Sequence, residues 1–364
     1  GLTISVSAGN ESKTGILGLW TNPGPVSSPG IGYNVITVAA MNTQGTVDRG
    51  DDEIAIFSSR GPSIGGRKKP DIAAPGGLRD RWVWEGLDPK KQAELGIYSA
   101  AFNSDGFVPK PGTSMAAPHI AGAAALLRQA GVRDPLAIKA LLLNTTDWLF
   151  WRNDQGWGYA NLARAFQERN GVVTPTLPAN RVRLYKGQSN GLFYTTLTWN
   201  RSVYQSFSGG CLSDLDLRLY NASSGAMLDS SGSMIDNVEK VHTTLYGPLV
   251  VNVTHWAQPS CRSPEPFGLA FSESGFQPAT GPVLTLSCTA PSAVAPSSQF
   301  SAACTIANQG DLPALSVAGT LRFAGNASSS SQNFGTIQAG ASATKAWLVT
   351  APATAGAATL AFDA

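Results

Sequence analysis

Hydrophobic and polar positions follow three different patterns along the chain. Over the first 170 residues, short β-branched runs such as Val35-Ile36-Thr37-Val38-Ala39-Ala40 and Ile54-Ala55-Ile56-Phe57 are bounded by turn residues and predict buried strands. Ala116 to Ala130, rich in Ala and Leu, predicts a buried helix that ends before Gly131. Pro135 opens a second predicted helix through Leu143, and Ala160 to Arg169 forms a third that stops before Asn170-Gly171. Strands alternating with helices predict an α/β layer fold. The chain opens at Gly1 in what reads as a buried strand, with no Met and no signal peptide.

The pattern changes after Thr174-Pro175-Thr176-Leu177-Pro178. From 180 to 276 the runs are short and alternating, and no helix is predicted. Asp214-Leu215-Asp216-Leu217-Arg218-Leu219-Tyr220 alternates strictly, as a strand with one buried and one wet face does. Leu249 to Val253 is another strand, and the stretch 174–277 reads as a β-sandwich. A second break falls at Gln277-Pro278-Ala279-Thr280-Gly281-Pro282. Beyond it, Val283 to Cys288, Phe300 to Ile306 and Ala346 to Val349 predict strands of a small immunoglobulin-like sandwich over 278–364, itself cut short at Ala364.

Composition narrows the function classes. The 364 residues carry 26 Lys+Arg against 24 Asp+Glu, a formal charge of +2, which argues against nucleic acid or an anionic membrane as partner. Hydrophobic residues at 43% exclude wholesale disorder, and 14% charged residues argue against a long coiled coil. No apolar run reaches the roughly 18–20 residues that a membrane helix needs.

The stretch richest in chemistry is Gly112-Thr113-Ser114-Met115-Ala116-Ala117-Pro118-His119. Its small-residue loop delivers Ser114 to the start of a helix, where free backbone N–H groups and the helix dipole face whatever binds beside the hydroxyl. Such a placement suits a nucleophilic serine, because an oxyanion formed there meets waiting donors. A plain serine near a helix N-terminus has the same local pattern.

Gly112 to Pro118 resembles the nucleophile motif of subtilisin-like serine peptidases. Phe57-Ser58-Ser59-Arg60-Gly61-Pro62, Lys69-Pro70-Asp71-Ile72-Ala73-Ala74-Pro75-Gly76 and Gly156-Trp157-Gly158-Tyr159 resemble further landmarks of that family in the expected order. Ser5-Val6-Ser7-Ala8-Gly9-Asn10 resembles its strand and Gly-Asn turn. The resemblance covers about 1–170. It implies an incomplete subtilisin-like parallel sheet with helices over 1–173, the C-terminal part of a peptidase domain. It also implies Ser114 as nucleophile and Asn10 as side-chain donor to the oxyanion, with the Ser114 N–H as second donor. Ser28-Pro29-Gly30 resembles a segment near the base of the primary specificity pocket.

One requirement of that chemistry is missing. A serine hydroxyl needs a base, and the base an orienting carboxylate, in the chain order Asp, His, Ser. The three histidines are His119, His242 and His255, all after Ser114. His119 lies five residues on along the helix, about 140° around and roughly 7.5 Å up the axis, so it points away from the hydroxyl. The resemblance therefore implies that the Asp-Thr/Ser-Gly turn and the His-Gly-Thr segment precede Gly1 in a longer polypeptide, the missing N-terminal half.

The leading expectation is a secreted serine endopeptidase acting on proteins or peptides through an acyl-enzyme, with no cofactor required for catalysis. The alternatives are a non-catalytic extracellular binding protein on a decayed peptidase scaffold, or a half that associates with a separately encoded chain. Four cysteines allow three pairings; pairing within modules gives Cys211–Cys261 and Cys288–Cys304 and implies an oxidising compartment. Zinc is not expected, for want of Cys-x-x-Cys spacing. Asp214, Asp216, Asp236 and Glu239 are candidate ligands for a structural calcium, with exposed strand polarity as the plainer reading. Leu78 to Phe107, with Trp82, Trp84 and a short charged helix from Asp88-Pro89, reads as an inserted surface flap or lid. Asn200, Asn221, Asn252 and Asn326 lie in glycosylation sequons.

Overall fold

The computed structural model describes residues 1–14, 21–22, 24–77, 96–148, 150–203, 210–257, 261–323, 329–354, 356 and 360–363. Trp82, Trp84, the Asp88-Pro89 helix start and Asn326 lie outside the described residues. The chain is mixed α/β, with several sheets and few helices.

Strand β2 (Ile36–Asn42) is the centre of the first sheet. It pairs in parallel with β1 (Ser5–Ser7) on one side and with β4 (Ile72–Pro75) on the other, and its end meets the short antiparallel β3 (Glu53–Ile54). Every residue of β2 is buried. Its Val38 and Ala40, with Ile72 and Ala74, pack under helix α1 (Thr113–Gln129) through Ala116, Ile120, Ala123 and Leu127. Ala39, Met41 and Ala73 turn to the opposite face against Tyr159.

Two expected strands need correcting. β1 is half-buried rather than buried, because only β2 pairs with it among the described residues. The run Ile54 to Phe57 keeps strand pairing only at Glu53–Ile54, since the chain turns there (Ser58 N–H to Ala55 C=O, 2.9 Å) and drops Phe57 into the core. Ile97–Ala100 and Phe107–Lys110 form a hairpin ahead of the serine loop.

Helix α2 (Pro135–Asn144) starts as its sequence predicts, with Pro135 in the first turn and Asp134 Oδ1 accepting from Leu136 N (2.8 Å) and Ala137 N (3.3 Å). It is buried on all sides, which an amphipathic surface helix is not. One flank joins the first core. The other meets a second sheet, in which Thr176–Leu177, Glu265–Phe271, Phe193–Trp199 and Val238–Thr243 pair in that order. A Cβ on Gly268 would stand 2.4 Å from the Leu136 carbonyl carbon, so glycine permits this close packing. Thr198 donates to the Leu136 carbonyl and Thr196 to Asn144 Oδ1, each at 2.9 Å, so the buried hydroxyls are satisfied. Helix α3 (Leu162–Gln167) closes the segment and is shorter than the expected 160–169, with Asn161 as its N-cap.

A third sheet, in the order Met227–Ser231, Asp214–Asn221, Tyr246–Trp256, Arg181–Asn190 and Gln277–Ala279, faces the second. Leu215, Leu217 and Leu219, the inward half of the alternating strand, meet Leu197, Trp199 and Phe267 between the two sheets. Beyond residue 283 two three-stranded sheets enclose Cys304, Ile306, Phe334 and Trp347. Both disulfides follow the within-module pairing, Cys211–Cys261 and Cys288–Cys304.

Lys240 joins the second sheet to α2. Its buried Nζ donates to the carbonyls of Leu143 (2.9 Å) and Asn144 (3.4 Å), capping the helix C-terminus. Burial, then repulsion by Arg164, pushes its pKa down from 10.5 to about 7. Between those values the unfolded chain binds more protons, so the contribution of Lys240 to stability grows with pH there, by at most about 1.4 kcal/mol per unit. Urea titrations are expected to show the parent gaining on Lys240→Met from pH 7 to 9. A pH-independent difference between the two proteins would contradict this.

Candidate active site

Strand β1 leads through Ala8 and Gly9 to Asn10, and the second strand edge of the site comes from β4 through Gly76. The Gly112 N–H donates to the Gly76 carbonyl at 2.7 Å, which anchors the serine loop to the end of β4. Gly112 has φ +149°, a conformation that glycine adopts freely, and it turns the chain into α1. The helix starts at Thr113, three residues before the expected Ala116, and has no side-chain cap from its own N-cap residue. The cap comes instead from Asn10, whose Oδ1 accepts from Thr113 N and from Thr113 Oγ1, each at 3.0 Å. Thr113 Oγ1 in turn accepts from Gly9 N at 3.2 Å.

This clamp decides which way the carboxamide faces. With Oδ1 occupied by Thr113, Nδ2 is the end without a partner among the described residues. A Cβ on Gly112 would stand 3.5 Å from Met115 Sδ and 3.7 Å from both Asn10 Nδ2 and Ser114 N, ordinary contact distances that put the two nitrogens near one point. The N–H groups of Met115 and Ala116 bond to the Gly112 carbonyl at 2.9 and 3.3 Å. The Ser114 N–H is left without a partner among the described residues, and Ser114 itself is exposed. Thr113, inside the motif but unassigned by sequence, is thus the residue that orients Asn10.

Ser28-Pro29-Gly30 packs against the same strand. Gly30 is buried, and a Cβ on it would meet the Ser7 carbonyl at 2.9 Å, while Ser28 and Pro29 are exposed. The Lys69–Gly76 landmark serves the sheet. Asp71 is buried, accepts from Thr37 N at 2.7 Å, pairs with Lys69 Nζ, and lies 3.6 Å from Lys139 Nζ of α2. Gly156–Tyr159 supports β4 from outside, with Trp157 N donating to the Asp71 carbonyl (2.8 Å) and Ala73 N to the Gly158 carbonyl (2.9 Å).

The histidines are engaged elsewhere. His119 Nδ1 contacts the Met115 carbonyl at 2.8 Å, His242 Nδ1 contacts Asp229 Oδ2 at 3.1 Å, and the buried His255 contacts the Leu177 carbonyl at 2.9 Å. Two of the carboxylates considered for calcium are also used. Asp216 Oδ2 accepts from Arg218 (2.8 Å) and Trp256 (2.9 Å), and Asp236 accepts from Lys68 N (2.8 Å) and Ser233 (3.0 Å). Among the described residues no three His, Cys, Asp or Glu side chains converge as a metal site.

The motifs and their geometry agree with a comparison against protein families, in which the subtilase family matches residues 1–166. Residues 1–166 belong to the subtilase family. This subtilase segment is 38% identical over 155 residues to serine protease AprX of Bacillus subtilis (strain 168), covering 40% of this chain and 30% of that protein. Pyrolysin of Pyrococcus furiosus is 29% identical over 214 residues, 49% of this chain and 13% of its own length. Subtilisin-like protease SBT2.6 of Arabidopsis thaliana is 40% identical over 102 residues, 26% of this chain and 11% of its own. The chain thus spans less than a third of the length of each of these relatives. Among solved structures, tripeptidyl peptidase 2 aligns with 94% of this chain and 43% of its own at 13% identity and a TM-score of 0.28, too loose a likeness to argue from.

Proposed function

We propose that this chain is part of a secreted subtilase-type serine endopeptidase that cleaves peptide bonds through an acyl-enzyme intermediate. Ser114 attacks the carbonyl, while Asn10 Nδ2 and the Ser114 N–H receive the oxyanion. A histidine and an aspartate from polypeptide outside these 364 residues complete the triad. The observation that supports this most is the pair of donors beside Ser114, with Asn10 held by its oxygen and its nitrogen without a partner among the described residues. The reaction draws on side chains and backbone donors alone. In this reading 1–173 is the C-terminal part of the peptidase domain, 174–277 a jelly-roll-like sandwich and 278–364 an immunoglobulin-like one, both serving stability or substrate docking. Two disulfides favour secretion, as does likeness to the minor extracellular protease Vpr of Bacillus subtilis. A second reading, a non-catalytic extracellular binding protein, draws support from the engagement of all three histidines away from Ser114.

The two readings separate on one experiment. Full-length protein, expressed from the reading frame that contains this chain, is treated with a fluorophosphonate, and the label is located by peptide mass spectrometry. Label on Ser114 supports the peptidase; a folded full-length protein that never labels supports the binding protein. In the active protein Asn10→Ala is expected to lower kcat by ~10²–10³ with KM little changed, the size of effect that subtilisin's own oxyanion asparagine shows. Steady-state kinetics on a peptide substrate checks this.

A further inference from the structure

The Phe57–Pro62 landmark crosses the site directly behind Asn10. Ser59 is wholly buried there. Its N–H donates to the Gly9 carbonyl at 2.9 Å, and its Oγ accepts from the Glu11 N–H at 3.0 Å. One residue thus grips the backbone on both sides of Asn10. The preceding turn is fitted to it: Gly9 has φ +108°, and a Cβ at Gly9 would stand 2.8 Å from Ser59 Oγ. Thr113 fixes the Asn10 side chain by its oxygen and Ser59 fixes the main chain that carries it, so together they leave Nδ2 little freedom.

We propose that Ser59 is a positioning residue for the oxyanion donor Asn10, acting through the Gly9 and Glu11 backbone and not touching substrate. The proposal rests on the peptidase reading above. The physical ground is that a donor stabilises a developing oxyanion only if it is held at hydrogen-bond distance before the charge appears. Loss of the hydroxyl leaves the Glu11 N–H unpaired and frees the turn, and displacements of about 1 Å at such a donor cost up to roughly 10²-fold in rate.

The test is a double-mutant cycle in the full-length protein with kcat and KM measured separately. Ser59→Ala is expected to lower kcat roughly 10-fold to 100-fold with KM nearly unchanged. Ser59→Thr, which keeps a hydroxyl acceptor, is expected to recover most of the loss. In an Asn10→Ala background Ser59→Ala is expected to cost nothing further, because the group it positions is gone. Should Ser59→Ala fail to fold, Ser59→Cys, a weaker acceptor of similar size, takes its place in the same cycle. Equal losses in the parent and Asn10→Ala backgrounds overturn the proposal while leaving the peptidase reading intact. A parent that neither turns over substrate nor labels at Ser114 removes both.

Discussion

Ser114→Ala in the full-length protein is expected to cut peptide hydrolysis by ~10⁶, the loss that subtilisin itself suffers on removal of its nucleophile. Without the hydroxyl there is no acyl-enzyme, and what remains comes from the donors that flank the site. The size follows from the way the groups act as a unit. In the proposed reaction Ser114 supplies the attacking oxygen, the outside histidine takes its proton, and Asn10 with the Ser114 N–H meets the charge that results. A combined Ser114→Ala, Asn10→Ala protein is therefore expected to lose much of that residual rate as well, because one of the donors that supplies it is gone. Measured with a fluorogenic peptide, a loss of tenfold or less for Ser114→Ala would show that another group performs the attack.

Asp71→Asn is expected to cost about 3–5 kcal/mol of stability, the range for removing one partner of a buried ion pair. Asp71, Lys69 and Lys139 are all buried, with one carboxylate between two ammonium groups. The ammoniums also donate to backbone: Lys69 to the Val35 carbonyl (3.2 Å), Lys139 to those of Tyr33 (3.3 Å) and Val35 (3.2 Å). Burial pushes the Lys69 pKa down to about 8, Asp71 pulls it back, and Lys139 adds to the depression. For Asp71, burial acts to raise the pKa, but Lys139, Lys69 and the hydrogen bonds from Lys69 and Thr37 outweigh it and hold it below 3.8. Its contribution is thus fully present above the unfolded value and is lost as pH falls through the lower folded one. Asparagine keeps the acceptor for Thr37 but leaves two buried cations facing each other. Urea unfolding at pH 7 measures the loss, and Asp71→Asn with Lys69→Met is expected to recover a large part of it. A double variant as unstable as the single would show that charge is not the cause.

Local chemistry was legible where it is written in consecutive residues. Gly112 to Pro118 marks a serine loop and a helix within seven positions, and the alternation of Asp214 to Tyr220 marks a half-buried strand. Asp134-Pro135 marks a helix start. The misses have a common cause. Thr113 capping by Asn10 spans 103 positions, so α1 began earlier than its apolar run suggested. Lys69-Pro70-Asp71 was a landmark without a stated purpose until α2 brought Lys139 beside it. The strand at Ile54 shortened because the chain turns at Ala55–Ser58 and carries Phe57 into the core.

Sequence alone determined the kind of serine loop and the three compositional stretches, because these rest on residue type, local backbone preference and a short-range period. Tertiary structure decided that Asn10 presents its nitrogen and not its oxygen, that Ser59 stands behind it, and that α2 is buried between two sheets. Those outcomes are set by contacts between segments far apart in the chain, where a buried donor or acceptor must find a partner or cost stability, and no local pattern records which partner it finds.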